Sequence, residues 1–269
     1  MESNALANKS IVIIGGTSGL GLSAANACAA AGAQLVIVGR DDEHAQPART
    51  TLGNAARVLV GDAMSPQTSD GAISTALKEF GRFDGLYHVA GGSGRSAGDG
   101  PLDQISDEGW EFTQKLNLNS LFYSNRAAAR QFLKQRTPGS VLNIGSVLGF
   151  SPSPKYFATH SYAAAKAAII GLTKSAAAYY APLGIRFNVI APALVQTPMA
   201  HRAVNDPAIM SFIKAKQRLD GGRIGQCSDL DAAVVFFLSD ESKFVTGQVL
   251  AIDGGWSVSD GQTSENANA

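Results

Sequence analysis

Seven short runs of the chain, at 10–14, 34–38, 57–60, 85–89, 140–144, 185–190 and 249–252, are almost unbroken in apolar and β-branched residues. A strand with one wet face alternates apolar and polar positions. Continuous apolar runs of this length are expected of strands buried on both faces of a parallel sheet. Between them, near 19–31, 66–80, 106–135, 159–181, 204–218 and 228–239, lie longer stretches with helical periodicity. Segment 41–55 contains Pro47 and predicts a short or irregular helix. Regular alternation of this kind produces right-handed βαβ crossovers with helices on both faces of one sheet. The expected architecture is α/β: a single doubly wound domain over residues 1–258, with a seven-stranded, mostly parallel sheet. The polar stretch 259–269 reads as a disordered tail.

Composition narrows the function. The chain has 269 residues, 45% of them hydrophobic, enough for one large core but not for two roomy domains. Lys and Arg total 22, as do Asp and Glu, so the net charge is zero. Neither a nucleic acid nor an anionic membrane surface is an expected partner, because both need a basic excess. No run of about 18 apolar residues is long enough to span a bilayer, and residues 1–9 lack the basic-then-apolar pattern of a leader. The two cysteines, Cys28 and Cys227, form no disulfide framework or metal-ligand spacing, and no His/Cys/carboxylate cluster suggests a metal. A reducing, cytoplasmic setting is the expectation.

The first candidate for chemistry follows the first run: Ile14-Gly15-Gly16-Thr17-Ser18-Gly19-Leu20-Gly21, leading into an alanine-rich helix. Glycines at 15, 19 and 21 permit a tight turn, close approach of backbone to a pyrophosphate, and close packing of helix on strand. The helix start then offers free N–H groups to phosphates. The spacing departs from G-x-G-x-x-G and lacks the Gly-Lys-Ser/Thr of a P-loop. A Rossmann-type dinucleotide site is the reading it supports.

The second candidate is Ser161-Tyr162-Ala163-Ala164-Ala165-Lys166. Four residues apart on a helix, Tyr162 and Lys166 share a face. A phenol titrates near 10, too high for acid/base work at neutrality, and a nearby ammonium lowers that value. Such a pair can protonate a carbonyl oxygen or deprotonate an alcohol while hydride moves.

Together these motifs resemble the short-chain dehydrogenase/reductase family, 3-oxoacyl-carrier-protein reductases included, over about residues 10–256. The resemblance implies further roles. Ser146, in Asn143-Ile144-Gly145-Ser146, would hydrogen-bond the substrate oxygen. Asn117, in Leu116-Asn117-Leu118-Asn119-Ser120, would hold a water joining Lys166 to solvent, with Asn119 the weaker candidate. Thr17, Ser18 and Leu20 belong to the phosphate turn; Asp62, with Ala63, would meet the adenine amino group; Ala90 and Gly91 would line the adenosine half. Pro192 opens a loop in which the Val195 backbone and Thr197 hydroxyl would hold the nicotinamide carboxamide, while Lys166 and Tyr162 would also touch the nicotinamide ribose.

Four departures stand out. Ile14 replaces a threonine, Ala193 replaces a glycine, His88-Val89 replaces two asparagines, and 149–160 looks like a small insertion beside the pocket. His88, at a strand end, reads as a structural histidine. Gly39 occupies the place of the acid that would bind an NAD ribose, and Arg40 follows it, suited to a 2′-phosphate. NADP(H) is therefore the favoured cofactor, with NAD(H) kept open by Asp41 and Asp42.

The expected partner is a small carbonyl or alcohol substrate. Its pocket would be shaped by loops 91–101, 149–160 and 197–218, apolar with scattered Arg95, His160, His201 and Arg202. Helices apolar on more than one face, at 106–135 and 159–181, imply a homo-oligomer, and the family resemblance favours a tetramer built on them, with a dimer as the alternative. The rival function is a non-catalytic NAD(P)-binding redox sensor, against which stands the presence of Asn117, Ser146, Tyr162 and Lys166 together.

Overall fold

The computed structural model describes residues 4–262. Among them seven strands form one sheet: β1 (Ser10–Ile14), β2 (Gln34–Gly39), β3 (Ala56–Val60), β4 (Gly85–His88), β5 (Gly139–Ile144), β6 (Ile185–Pro192) and β7 (Val249–Ile252). Their spatial order is β3-β2-β1-β4-β5-β6-β7, and every pairing is parallel. The chain winds outward from β1 to β3, then returns to place β4 on the other side of β1. That reversal opens a crevice at the carboxyl ends of β1 and β4, where ligands bind in such sheets.

Unbroken apolar strands are explained by two cores, one on each face. Ile11, Ile13, Leu35, Ile37, Leu142 and Ile144 pack with α1 (Gly19–Ala30), α2 (Asp42–Leu52) and the late helix Asp231–Leu238. The alternate residues Val12, Ile14, Val36, Val38 and Val141 face the helices Pro66–Phe80 (α3) and Ser120–Gln135. Each such side chain, removed from water, contributes roughly 1.5–3 kcal/mol.

Several helices differ from the sequence expectation. Segment 106–135 is α4 (Asp107–Gln114) and α5 (Ser120–Gln135), joined by a π-turn over Lys115–Asn119. Segment 159–181 is α6 (His160–Tyr180) followed by a 3-10 turn. Segment 204–218 divides into α7 (His201–Val204) and α8 (Pro207–Lys216), because Asp206 accepts from Ala208 N and Ile209 N and starts a new helix. Before α9 (Asp231–Leu238) lies a 3-10 turn. Of the short or irregular helix expected around Pro47, the structure has the short form, eleven regular residues of α2. Asp41 caps its start, and Pro47 and Glu43 are both exposed, so the carbonyl that Pro47 leaves without a partner faces water. Of the stretch 259–269, residues 259–262 are among those described: Ser259 Oγ donates to Ala215 O at 3.2 Å, and Arg218 donates to Gln262 O at 2.7 Å. Residues 263–269 lie outside the described residues.

Candidate active site

The glycine turn lies at the sheet reversal. Gly15 has φ +95°, and a Cβ there would stand 2.6 Å from the Ala90 amide nitrogen, so only glycine lets β1 pass the end of β4. A Cβ on Gly21 would stand 1.9 Å from the Gly15 carbonyl oxygen, which is why α1 can pack so close to its strand. Asp41, Ser106 and Asp206 cap α2, α4 and α8 with their side chains, but Ser18 makes no such bond and the first turn of α1 has no acid. The N–H groups beginning at Gly19, Leu20 and Gly21 are thus left for an external anion, and the cradle fits a pyrophosphate. Thr197, from the loop after β6, comes within 3.6 Å of where a Gly19 Cβ would be, so that loop closes over the turn. Pro192 ends β6 opposite Ile252, and buried Val195 is fixed by a bridge to Gly225.

Across the crevice, β5 ends at Ile144, and Ser146 is buried just beyond it. Ser146 Oγ accepts from Leu148 N at 3.2 Å and lies close enough to the Tyr162 hydroxyl to favour its phenolate. Lys166 is buried, donates to the Ile144 carbonyl at 3.0 Å, and holds Nζ 5.4 Å from the centre of the Tyr162 ring. Three of the four catalytic candidates therefore meet at one strand end.

Their electrostatics differ from the sequence expectation. Burial pushes the Tyr162 phenol up to about 12, and the hydrogen bond with Ser146 offsets this only in part. Burial also brings Lys166 down to about 7. The expected lowering of the tyrosine by the lysine is not produced by protein groups alone, because burial dominates the phenol and also disfavours the charged form of Lys166.

Asn117 lies buried in the π-turn. Its Nδ2 donates to Gly92 O and Thr113 O, both at 2.9 Å, and its Oδ1 accepts from Gly92 N at 3.2 Å. Both amide protons are spent, so the side chain clamps the loop after β4, and a water could use only the remaining lone pair of Oδ1. Gly91 is the meeting point: a Cβ there would stand 2.7 Å from Asn117 Oδ1 and 3.7 Å from Lys166 Nζ. Asn119, the weaker candidate, ends the same turn. Turns of π type inside helices are common at functional sites, and here one aims the asparagine.

Other side chains hold this arrangement, and the sequence reading assigned them no role. Asp99 is 5% exposed, and its two carboxylate oxygens accept from Ser161 N at 3.0 Å and Tyr162 N at 2.9 Å. Gln114 Nε2 donates to Ser161 O at 2.9 Å, tying α4 to α6. Asn143 and Asn125 exchange amide hydrogen bonds at 2.8 and 2.9 Å, and Asn143 also donates to Thr173 at 3.0 Å. That buried knot joins β5, α5 and α6. Apart from Asn143 standing beside the serine motif, no local signal marks these residues; they are partners through distant contacts.

At the adenosine end Arg40 points outward, its side chain 81% exposed, with Nε 3.9 Å from Asp41. Asp41 Oδ1 accepts from His44 N and contacts His44 Nδ1, and Asp42 pairs with Arg49 at 2.7 Å. Gly39 has a packing reason besides charge: a Cβ would stand 2.1 Å from Thr17 Oγ1. Asp62 is exposed beyond β3 and accepts from Met64 N at 2.8 Å, while Ala63 packs on the core. Val89 N and Ala90 N both donate to Ile14 O at 2.9 Å. His88 is buried between Ser124 (Nδ1, 2.8 Å) and Ser120 (Nε2, 3.3 Å), and burial brings it down to about 3. It is a neutral histidine of the core.

Comparison with known proteins agrees with this geometry. Residues 15–257 match the family described as enoyl-(acyl carrier protein) reductase. The 3beta-hydroxysteroid dehydrogenase 2 of Eggerthella lenta is 32% identical over 256 residues, covering 94% of this chain and 96% of the relative. The 3-oxoacyl-(acyl-carrier-protein) reductase FabG of Escherichia coli is 32% identical over 247 residues, covering 92% and 96%. A solved short-chain type dehydrogenase/reductase from Mycobacterium ulcerans superposes with a TM-score of 0.86 at 29% identity, over 97% of this chain and 94% of that one. Full-length likeness in both sequence and fold leaves one assignment, and the chain belongs to the short-chain dehydrogenase/reductase family of oxidoreductases.

Proposed function

We propose that this protein interconverts a small carbonyl compound and its secondary alcohol, using NADP(H) as hydride partner. The observation that carries this reading is the meeting of Ser146, Tyr162 and Lys166 at the end of β5, on the same edge of the sheet as the uncapped start of α1. When bound, the nicotinamide supplies or accepts hydride. The Tyr162 hydroxyl, kept protonated by burial, donates its proton to the carbonyl oxygen during reduction, and Ser146 donates a hydrogen bond to the same oxygen. Lys166, when protonated, favours the phenolate left behind, and it contacts the nicotinamide ribose. Asn117 fixes the loop wall opposite.

For the cofactor, Gly15, Thr17, Ser18, Gly19, Leu20 and Gly21 cradle the phosphates, Asp62, Ala63, Ala90 and Gly91 line the adenosine half, and Pro192, Val195 and Thr197 hold the carboxamide. The choice of NADP(H) is supported by Arg40, whose guanidinium is open, and by the engagement of Asp41 and Asp42 with His44 and Arg49. NAD(H) is the alternative. A homotetramer in the cytoplasm completes the reading. It is supported by the outer face of α6, where Ala164, Ala167, Ala168 and Gly171 are exposed, by Trp110 and Phe122, each 41% exposed, and by two free cysteines. Among the described residues no helix is long and apolar enough to cross a membrane.

The deciding experiment is Tyr162→Phe, expected to lower kcat by roughly 10²-fold or more while NADPH binding, read by fluorescence titration, stays near normal. Lys166→Ala should damage both. A Tyr162→Phe variant that keeps most of its turnover overturns the assignment.

A further inference from the structure

Three segments that follow strands at the carboxyl edge of the sheet meet at one carbonyl oxygen, and the first of them also carries Asp99, which binds the Tyr162 amide. Arg95 comes from the loop after β4, Tyr156 from the segment between β5 and α6, and Arg202 from α7 after β6. Arg95 donates to the Tyr156 carbonyl at 3.2 Å, and Arg202 donates to the same oxygen at 3.1 Å. Each nitrogen lies within hydrogen-bond reach of one atom, so the two donor nitrogens stand about 6 Å apart or closer. Lys155 adds a third cation, its Nζ 5.1 Å from the Tyr156 ring.

Like charges this close repel unless an anion lies between them. Among the described residues Arg49, Arg57, Arg82 and Arg223 each have a carboxylate within 4.0 Å, but Arg95, Arg202 and Lys155 have none. The one acid in reach of Arg95 is Asp99, and both its oxygens are committed to the amides of Ser161 and Tyr162. Partial burial and then Arg202 hold the Arg95 guanidinium below its ordinary range, with Asp99 acting the other way.

The anchor between the arginines is rigid. Tyr156 packs on Phe212 with ring centres 5.2 Å apart, Phe157 on Trp256 at 5.8 Å, and Phe212 on Trp256 at 5.5 Å. Trp256 Nε1 donates back to Ser151 O at 3.2 Å. The inserted segment is thus pinned as an apolar wall with a cationic rim. Both arginines are exposed, and the shared carbonyl takes one donor nitrogen from each, so the other N–H groups of the two forks face solvent and are open to an anion.

We infer that Arg95 and Arg202 form a clamp for an oxyanion on the substrate, so that the carbonyl compound reduced at Tyr162 carries a carboxylate, phosphate or sulfonate group. The inference rests on the oxidoreductase reading above and deepens it. An apolar stretch of substrate would lie along Tyr156, Phe157 and Phe212, with its anionic end between the two arginines. Lys155 adds long-range attraction at the rim. A neutral ketone would fill the wall and leave the arginines without a counter-charge.

The test uses oxo-carboxylic acids of increasing chain length, each beside its methyl ester, with a phosphate-bearing and a sulfonate-bearing ketone as further arms. With the full-length protein and NADPH, kcat/KM for one of the anions should exceed that for its neutral counterpart. The arm that responds identifies the oxyanion. Arg95→Ala and Arg202→Ala should each cut the anion-to-neutral preference by roughly 10-fold or more, and Arg→Lys should restore part of it. The ratio is internal to each variant, so a general loss of activity leaves it readable. Calorimetric binding of the favoured anion to the wild type and to the double alanine variant gives a second readout that needs no turnover. Equal preference for anions and neutral ketones, or a preference that both alanine variants retain, overturns the clamp while leaving the oxidoreductase reading intact. Failure of every carbonyl compound to turn over, with anions still bound through the arginines, overturns that reading and keeps the clamp. Absence of any anion binding overturns the clamp whatever the turnover.

Discussion

Removing the Asp99 carboxylate tests whether a loop residue positions the helix that carries Tyr162. In the Asp99→Ala variant two amides, Ser161 N and Tyr162 N, lose acceptors at 3.0 and 2.9 Å in a place only 5% exposed. A buried donor left without a partner costs about 1–3 kcal/mol, and loss of a helix cap about 0.5–2 kcal/mol, so with some water entering a total near 2–4 kcal/mol is expected. Asp99→Asn keeps one acceptor but turns an NH₂ group toward the second amide, so it should fall between the two. Urea denaturation at unchanged slope measures this part. The functional part is separate. Freed from its anchor, the first turn of α6 lets the Tyr162 hydroxyl drift from Ser146, and kcat should fall at least about 10-fold with KM for the cofactor little changed. The sign of the pH effect is also set. Asp99 places a negative charge by the backbone of Tyr162, and its removal favours the phenolate. The rising limb of the pH profile for alcohol oxidation, which needs the phenolate, should therefore move to lower pH. An Asp99→Ala variant within about 0.5 kcal/mol of wild type, with unaltered kcat and pH profile, would refute the reasoning.

Arg40→Ala should weaken NADPH more than NADH by roughly 10-fold, at the low end of a charge-assisted contact because the side chain is 81% exposed. Titration at rising salt should show the difference shrinking, and equal affinities in the wild type would move the cofactor to NAD(H). Gly39→Asp, which charge alone would make a switch to NADH, should instead weaken both dinucleotides, since its Cβ collides with Thr17 at 2.1 Å; improved NADH binding would show that Thr17 yields. His88 ties stability to acidity. Burial holds it near 3 in the folded chain, whereas the unfolded chain takes up its proton near 6.5. Between those values the unfolded state binds more protons, so stability is full above about 6.5 and is lost as pH falls toward 3. His88→Asn should flatten that slope in denaturation at several pH values, and an unchanged slope would assign the acid sensitivity elsewhere.

Fold class, sheet direction and the chemical motifs were legible in the chain because their causes are local. Strands such as Ile11–Ile14 are apolar at every position since both faces are covered, and the glycines at 15 and 21 are needed where backbone meets backbone. The Tyr162 to Lys166 spacing puts both side chains on one helix face whatever surrounds them. Electrostatics and second partners were not legible, because they depend on groups far apart in the chain. Tyr162 is pushed up to about 12 rather than below 10 because burial outweighs its hydrogen bond with Ser146. Asn117 spends its amide on Gly92 because a π-turn, invisible in a helical periodicity, rotates it there. Asp99, Arg95 and Arg202 stand in loops without any pattern. Folding brings one to the start of α6, 62 residues away in the chain, and the other two to a single carbonyl oxygen. Burial and contact across such distances are properties of the packed chain, and no window of sequence contains them.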